Sequence, residues 1–148
     1  FGKAFGSGGA FLASNKDMGE HLLQTSGAFR YTTALAPPLA AAALAALDLI
    51  KANPNWGIQL QQRAENWRLN LKAKGWEYPP SNGPIIPLLM GSETRALEQQ
   101  KNLETNGLLS VAIRPPTVPI GKSRLRLVVQ KNLPSGTLNK LLLALDPS

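Results

Sequence analysis

Phe1-Gly2-Lys3-Ala4-Phe5-Gly6-Ser7-Gly8-Gly9-Ala10-Phe11 places one lysine among glycines and apolar side chains. Glycine removes the Cβ that would keep a ligand from the backbone, so Lys3, between Gly2 and Gly6, can sit where chain and ligand approach closely. A lysine that is buried, or set beside other cations, favours its neutral amine and becomes a nucleophile suited to Schiff-base chemistry. That makes Lys3 a candidate catalytic residue. A solvated lysine in a glycine-rich turn is the alternative, and the stretch taken alone favours it.

The 148 residues allow one ordinary domain or part of a larger one. The sequence opens directly in the glycine-rich motif, without an initiator methionine, a polar lead-in or a targeting segment, so we expect a piece of a longer chain. A hydrophobic content of 43% with 17% charged residues is that of a core-forming protein, not a disordered one. Lys and Arg number 16 against 9 Asp and Glu, a net charge of +7 that raises the possibility of a basic module binding nucleic acid or a protein partner. The charges are scattered over residues 51–74, 95–101 and 114–140, and the tryptophans are not interleaved with them as a stacking platform needs. We therefore expect no nucleic-acid partner. The absence of cysteine excludes disulfides and thiolate metal sites, and the single His21 lacks ligand spacing and reads as a helix-surface residue, so no metal is expected. The longest apolar run, residues 34–50, contains Pro37, Pro38 and Asp48, which fits a soluble buried helix and no membrane span.

Outward from the lysine turn, residues 8–14 read as a short buried strand. Asn15-Lys16-Asp17 starts a helix running toward Ser26, and Gly27 stops it. Phe29-Arg30-Tyr31-Thr32-Thr33-Ala34-Leu35-Ala36-Pro37-Pro38 reads as a hydroxyl-rich, extended stretch ended by the double proline. Thr32 and Thr33 have hydroxyls suited to a phosphate, but composition alone fits β-formers at a strand end. Pro38 suits the first turn of a long helix over 39–51, apolar on nearly every face and thus expected to be buried on more than one side and to link two domains. A second, amphipathic helix follows over 56–74, with Ile58, Leu60, Trp67, Leu69 and Leu71 as its apolar positions and Gly75 at its end. Then come a short apolar strand over 85–91 whose Pro87 marks an edge or an irregular position, a helix from Ser92 to about Asn106 ended by Gly107, a strand over 108–113, a strand over 124–129 with arginines on one face and leucines on the other, and a last helix over 137–145.

Arg114-Pro115-Pro116-Thr117-Val118-Pro119 is the second motif with chemical content. Three prolines stiffen the backbone, so Arg114 projects from a strand end with little slack. Its planar fork can take a carboxylate with two parallel hydrogen bonds, as an amino-acid substrate would require. A structural salt bridge or a solvated loop arginine is the alternative, and the motif alone favours it.

Phe1 to Gly9 resembles the cofactor-lysine segment of the α-oxoamine synthase family, whose pattern is a threonine, two residues, the lysine and then a glycine-rich turn; the chain here starts one residue too late to show that threonine. Tyr31, Thr32, Thr33, Pro37 and Pro38 are similar to the family segment that reaches the cofactor phosphate of the neighbouring subunit. Ala112-Ile113-Arg114-Pro115-Pro116-Thr117-Val118-Pro119, with Gly121 and Arg124-Leu125-Arg126, resembles the biotin-pathway branch, and Ser81, Ile85, Pro87 and Gly91 also fit.

The resemblance implies an α/β protein of the fold-type-I transferase class: the end of a large cofactor domain over 1–36, then a linking helix and a small C-terminal α/β domain with a short, mainly antiparallel sheet over 37–148. It implies pyridoxal phosphate as cofactor, bound to Lys3 as an aldimine, with Thr32 and Thr33 as further cofactor contacts and an active site shared across a homodimer. It implies that Arg114 binds the carboxylate of L-alanine, that Thr117 lies beside the substrate, and that the acyl partner is pimeloyl-CoA or a pimeloyl-carrier protein. The activity implied is a cytoplasmic decarboxylative condensation in biotin biosynthesis. A glycine- or serine-using relative is the alternative. Gln130-Lys131-Asn132-Leu133 departs from the family's usual hydroxyl, alanine and histidine. The family's ring-stacking histidine, its aspartate for the pyridine nitrogen and most of its phosphate site precede the lysine, so the isolated chain is expected to be inactive.

Overall fold

The computed structural model describes residues Phe1–Leu145, which separate into two compact units, Phe1–Pro54 and a second from Asn55 onward. The first unit is helical. Helix α1 (Lys16–Thr25) begins at Asn15, whose side-chain oxygen accepts the Met18 N–H at 2.9 Å and so satisfies a donor that the first turn leaves unpaired. His21 lies on it, exposed. Gly27 does not merely stop this helix: it opens a second, α2 (Gly27–Arg30), because the Ser26 hydroxyl accepts the Phe29 N–H at 3.2 Å and re-caps the chain. Only the stretch after Tyr31 is extended, up to α3 (Pro37–Ala52), where Pro37 and Pro38 occupy the first positions that need no N–H.

Two expectations for this unit are corrected. Residues 8–14 form no strand, since a strand needs a neighbour to take its backbone groups, and every strand among the described residues belongs to the second unit. Phe11 is accordingly 75% exposed. Helix α3 buries only Ala43, and Leu44 is 60% exposed. A helix that is apolar all round needs cover on every side, and the few turns of Phe1–Pro54 do not have that much surface.

The second unit is a two-layer α/β structure. Its sheet has the order β1-β3-β2, formed by β1 (Ile85–Gly91), β2 (Val111–Ile113) and β3 (Ser123–Val128), with both pairings antiparallel. Pro87, which has no N–H to give a ladder, sits on edge strand β1, as expected. The strand expected over 108–113 is confined to its last three residues. Alternation puts Ile86, Leu88 and Met90 of β1, and Leu125 and Leu127 of β3, on the buried face, while Arg126 points to solvent. In register, Leu88 lies opposite Leu125, which also faces Ala112 of β2.

Three helices supply the rest of that core: α4 (Trp56–Ala73) with Ala64, Trp67 and Leu71; α5 (Glu93–Thr105) with Ala96 and Leu103; and α6 (Thr137–Ala144) with Leu141 and Ala144. Fully burying each of the larger aliphatic side chains stabilises the fold by roughly 1.5–3 kcal/mol. Helices α4 and α5 end in the same device. Gly75 N–H bonds the Lys72 carbonyl at 2.9 Å and Trp76 N–H the Leu71 carbonyl at 3.1 Å; Gly107 and Leu108 repeat this on Glu104 and Leu103, both at 2.8 Å. Both glycines have the positive φ, 83° and 68°, that this cap requires.

The buried stripe of α4 differs from the expected one. Ile58 and Leu69 are 55% and 58% exposed, whereas Arg68 is 3% exposed. Its guanidinium tolerates burial because one nitrogen donates to Glu65 Oε2 at 2.9 Å and another to the Gly83 carbonyl, tying α4 to the loop before β1. Arg63 donates to the carbonyls of Gln130 and Lys131 at 2.9 and 2.6 Å, and the Lys131 ammonium lies 3.6 Å from the Trp56 ring centre, so the segment after β3 is held to the same helix. No helix among the described residues is long and apolar enough to cross a membrane.

Candidate active site

The glycine-rich stretch is a closed turn. Gly6, at φ 57°, donates its N–H to the Lys3 carbonyl at 2.9 Å, and Ser7 N–H bonds the Phe1 carbonyl at 3.1 Å. The Phe1 nitrogen donates to the Gly9 carbonyl at 2.7 Å, and the Phe1 ring packs on Phe5 and Phe11 at centroid distances of 5.2 and 5.6 Å. The Ser7 hydroxyl donates to the Leu39 carbonyl at 2.6 Å, which anchors the turn on the start of α3. Gly9 is fixed twice over: its φ is 79°, and a Cβ there would lie 3.0 Å from Leu35 Cδ1. The loop is thus shaped by its glycines.

Lys3 stands on this loop exposed, and its amine has neither hydrogen bond nor ion pair among the described residues. A primary amine on a fixed turn, free of a carboxylate, is the donor that a carbonyl-bearing cofactor needs. Thr32 and Thr33 lie in the extended stretch between α2 and α3, exposed, with hydroxyls that are unpartnered among the described residues and so open to an anion. The residues present therefore fit a phosphorylated aldehyde. Lys3, Thr32 and Thr33 all belong to the first unit.

Arg114 and Thr117 belong to the second. Arg114 follows the last residue of β2, and its carbonyl accepts the Thr117 N–H at 3.0 Å, closing a turn over the cis Pro115–Pro116 bond. Thr117 is exposed. The Arg114 guanidinium is not solvated alone: its NH1 lies 3.5 Å from Glu93 Oε2 at the start of α5. The salt bridge weighed as an alternative is therefore present, but it engages one nitrogen and leaves a side chain 44% exposed. Glu93 is the residue that sequence reading passed over, since an acid in a helix's first turn is ordinarily explained by the helix dipole.

A cavity of about 650 Å³ in the second unit contains none of these residues; Trp67, Leu108, Ser110, Leu127, Leu133 and Lys140 are among its lining. Among the described residues no group of three or more His, Asp or Glu is placed to hold a metal ion.

Comparison with known proteins bears on the family. The family model for aminotransferase class I and II matches residues 1–145. Over 128 residues the chain is 41% identical to the 8-amino-7-oxononanoate synthase of Cellvibrio japonicus, a match that covers 86% of this chain and 32% of that protein. The crystal structure of 8-amino-7-oxononanoate synthase from Francisella tularensis superimposes with a TM-score of 0.80 at 26% identity, over 97% of this chain and 41% of that one. Serine palmitoyltransferase from S. paucimobilis, solved with a bound PLP–myriocin aldimine, gives a TM-score of 0.82 at 21% identity over 95% of this chain and 37% of that one, a likeness of fold. The chain spans about a third of the length of the curated relatives it matches. With the fold of the fold-type-I transferases, a lysine on a glycine turn and a family match along 1–145, the chain belongs to the aminotransferase class I and II family.

Proposed function

We propose that this chain is the carboxy-terminal part of a pyridoxal-phosphate-dependent acyltransferase that condenses L-alanine with a pimeloyl thioester, carried by CoA or a carrier protein, to give 8-amino-7-oxononanoate, carbon dioxide and the free thiol. The observation that carries this reading is the 41% identity, over 128 residues, to a protein of that name. In it, residues 1–36 close the large cofactor domain and 37–148 form the linking helix and small domain of a cytoplasmic homodimer.

Each residue has a task that follows from its chemistry. Lys3 would hold the cofactor covalently through Nζ, and the Thr32 and Thr33 hydroxyls would donate to its phosphate from the neighbouring subunit. When bound, the cofactor supplies an electron sink for bonds broken at the amino-acid α-carbon. The Lys3 amine, once released, takes the α-proton of alanine and returns a proton later. Arg114 holds the substrate carboxylate by its fork and fixes which α-bond is aligned for cleavage. Thr117, in the turn closed on the Arg114 carbonyl, would lie beside the bound amino acid.

The test uses the full-length protein loaded with pyridoxal phosphate, supplied with L-alanine and pimeloyl-CoA, with free thiol and product mass followed. Product at the expected mass, abolished by Lys3→Ala, supports the reading. Turnover of glycine or serine with an acyl-CoA, and none of alanine, would replace it by a relative of different amino-acid choice. A folded protein that takes up no cofactor would return the basic binding module to consideration.

A further inference from the structure

Arg114 and Glu93 are both held by rigid backbone. Arg114 directly follows β2 and enters a proline-stiffened turn, while Glu93 is the first residue of α5, whose start is fixed by the Ser92 hydroxyl accepting the Arg95 N–H at 3.2 Å. Their charges meet at a single contact, NH1 to Oε2, at 3.5 Å, with the two side chains 44% and 51% exposed. The remaining guanidinium nitrogens, NH2 and Nε, have no protein partner among the described residues. They are the edge on which a second carboxylate would sit.

A carboxylate arriving there meets an anion already on the same cation. The loose, half-exposed pair stabilises the fold little. Its effect on an incoming anion is larger, because two like charges would then share one guanidinium within a few ångströms. We propose that Glu93 is a positioning residue that acts through Arg114: it keeps the fork oriented, and it competes with the substrate carboxylate, weakening amino-acid binding in the ground state. The proposal rests on the reading of Arg114 as the carboxylate site.

The test is an equilibrium titration of the full-length protein loaded with pyridoxal phosphate, read by cofactor absorbance, with L-alanine and with ethylamine, which lacks the carboxylate. Glu93→Gln retains the helix start and the side-chain shape while removing the charge. It is expected to tighten L-alanine by about three- to tenfold at low salt, to move ethylamine by less than twofold, and to have no effect on L-alanine in an Arg114→Ala background. The gain should shrink in 1 M salt. An unchanged or weaker affinity of Glu93→Gln for L-alanine, beside an Arg114→Ala variant that binds it poorly, overturns the role of Glu93 alone; so does an equal gain for ethylamine. An Arg114→Ala variant that binds L-alanine as the parent does would remove the Arg114 reading, and the proposal with it.

Discussion

Arg68 is the least expected member of the second unit's core, and replacing it separates two contributions. Its aliphatic stem is buried with Trp67 and Leu71, its head donates to Glu65 and to the Gly83 carbonyl, and its Nε has no partner among the described residues. Arg68→Ala removes the two buried methylenes beyond Cβ, roughly 1.6 kcal/mol at ~0.8 each. It also leaves the Gly83 carbonyl short of a donor, a further ~1 kcal/mol. Glu65 is 58% exposed and returns to water at little cost. The unpaired Nε offsets part of the loss, because a buried cation with an unsatisfied N–H is itself unfavourable. The sum is ~2 kcal/mol. Arg68→Met restores most of the stem and should lose only about 1 kcal/mol. Trp56, Trp67 and Trp76, the tryptophans of this sequence, all lie from Asn55 onward, so tryptophan fluorescence of these 148 residues during urea unfolding reports the second unit. With a slope of about 1–3 kcal/mol/M, Arg68→Ala should lower the midpoint by roughly 1 M or more. If Arg68→Met falls as far as Arg68→Ala, or if Arg68→Ala loses under about 1 kcal/mol, the stem is not the main contributor and the reasoning fails.

Leu125→Ala, at a fully buried site that faces both edge strands, should cost about 3–5 kcal/mol by the same fluorescence assay, among the largest effects of any single truncation here. Ser123→Ala removes a fully buried hydroxyl without a partner among the described residues and should leave stability unchanged or raise it by about 1 kcal/mol, seen as a melting temperature up by a few degrees; a clear loss would mean that the hydroxyl is bonded in solution. Gly75→Ala meets no atom within 4 Å but must adopt a φ of 83°, so a loss of roughly 1 kcal/mol from backbone strain alone is expected in chemical denaturation.

The second unit was readable because its signals are local. Period-two alternation marks Leu125 and Leu127 against Arg124 and Arg126, and single residues such as Ser92, Gly75 and Gly107 set element ends through backbone hydrogen bonds that they make or permit. What failed depends on distant partners. Arg68 looks like a solvent position until Gly83, fifteen residues on, supplies an acceptor, and once Arg68 turns inward Leu69 turns out. Residues 8–14 have a strand's composition but no ladder to join among the described residues. At the site, the turn around Lys3 follows from the glycine spacing, whereas a chemical role for Lys3 comes only from the family resemblance. The Arg114–Glu93 pair spans twenty-one residues and depends on where β2 ends relative to α5, which no spacing rule encodes.

The central strand of the sheet is also the last of the three to be made. Neither β1 nor β2 can complete its pairing until Ser123–Val128 has been synthesised, because each bonds to β3 and neither to the other. On the ribosome, the apolar β1 segment therefore waits through the synthesis of some thirty further residues, with α5 as the element that can form early from local contacts. Chaperone demand should peak in that interval, and a pause in translation just before Ser123 should raise misfolding more than one placed after α6.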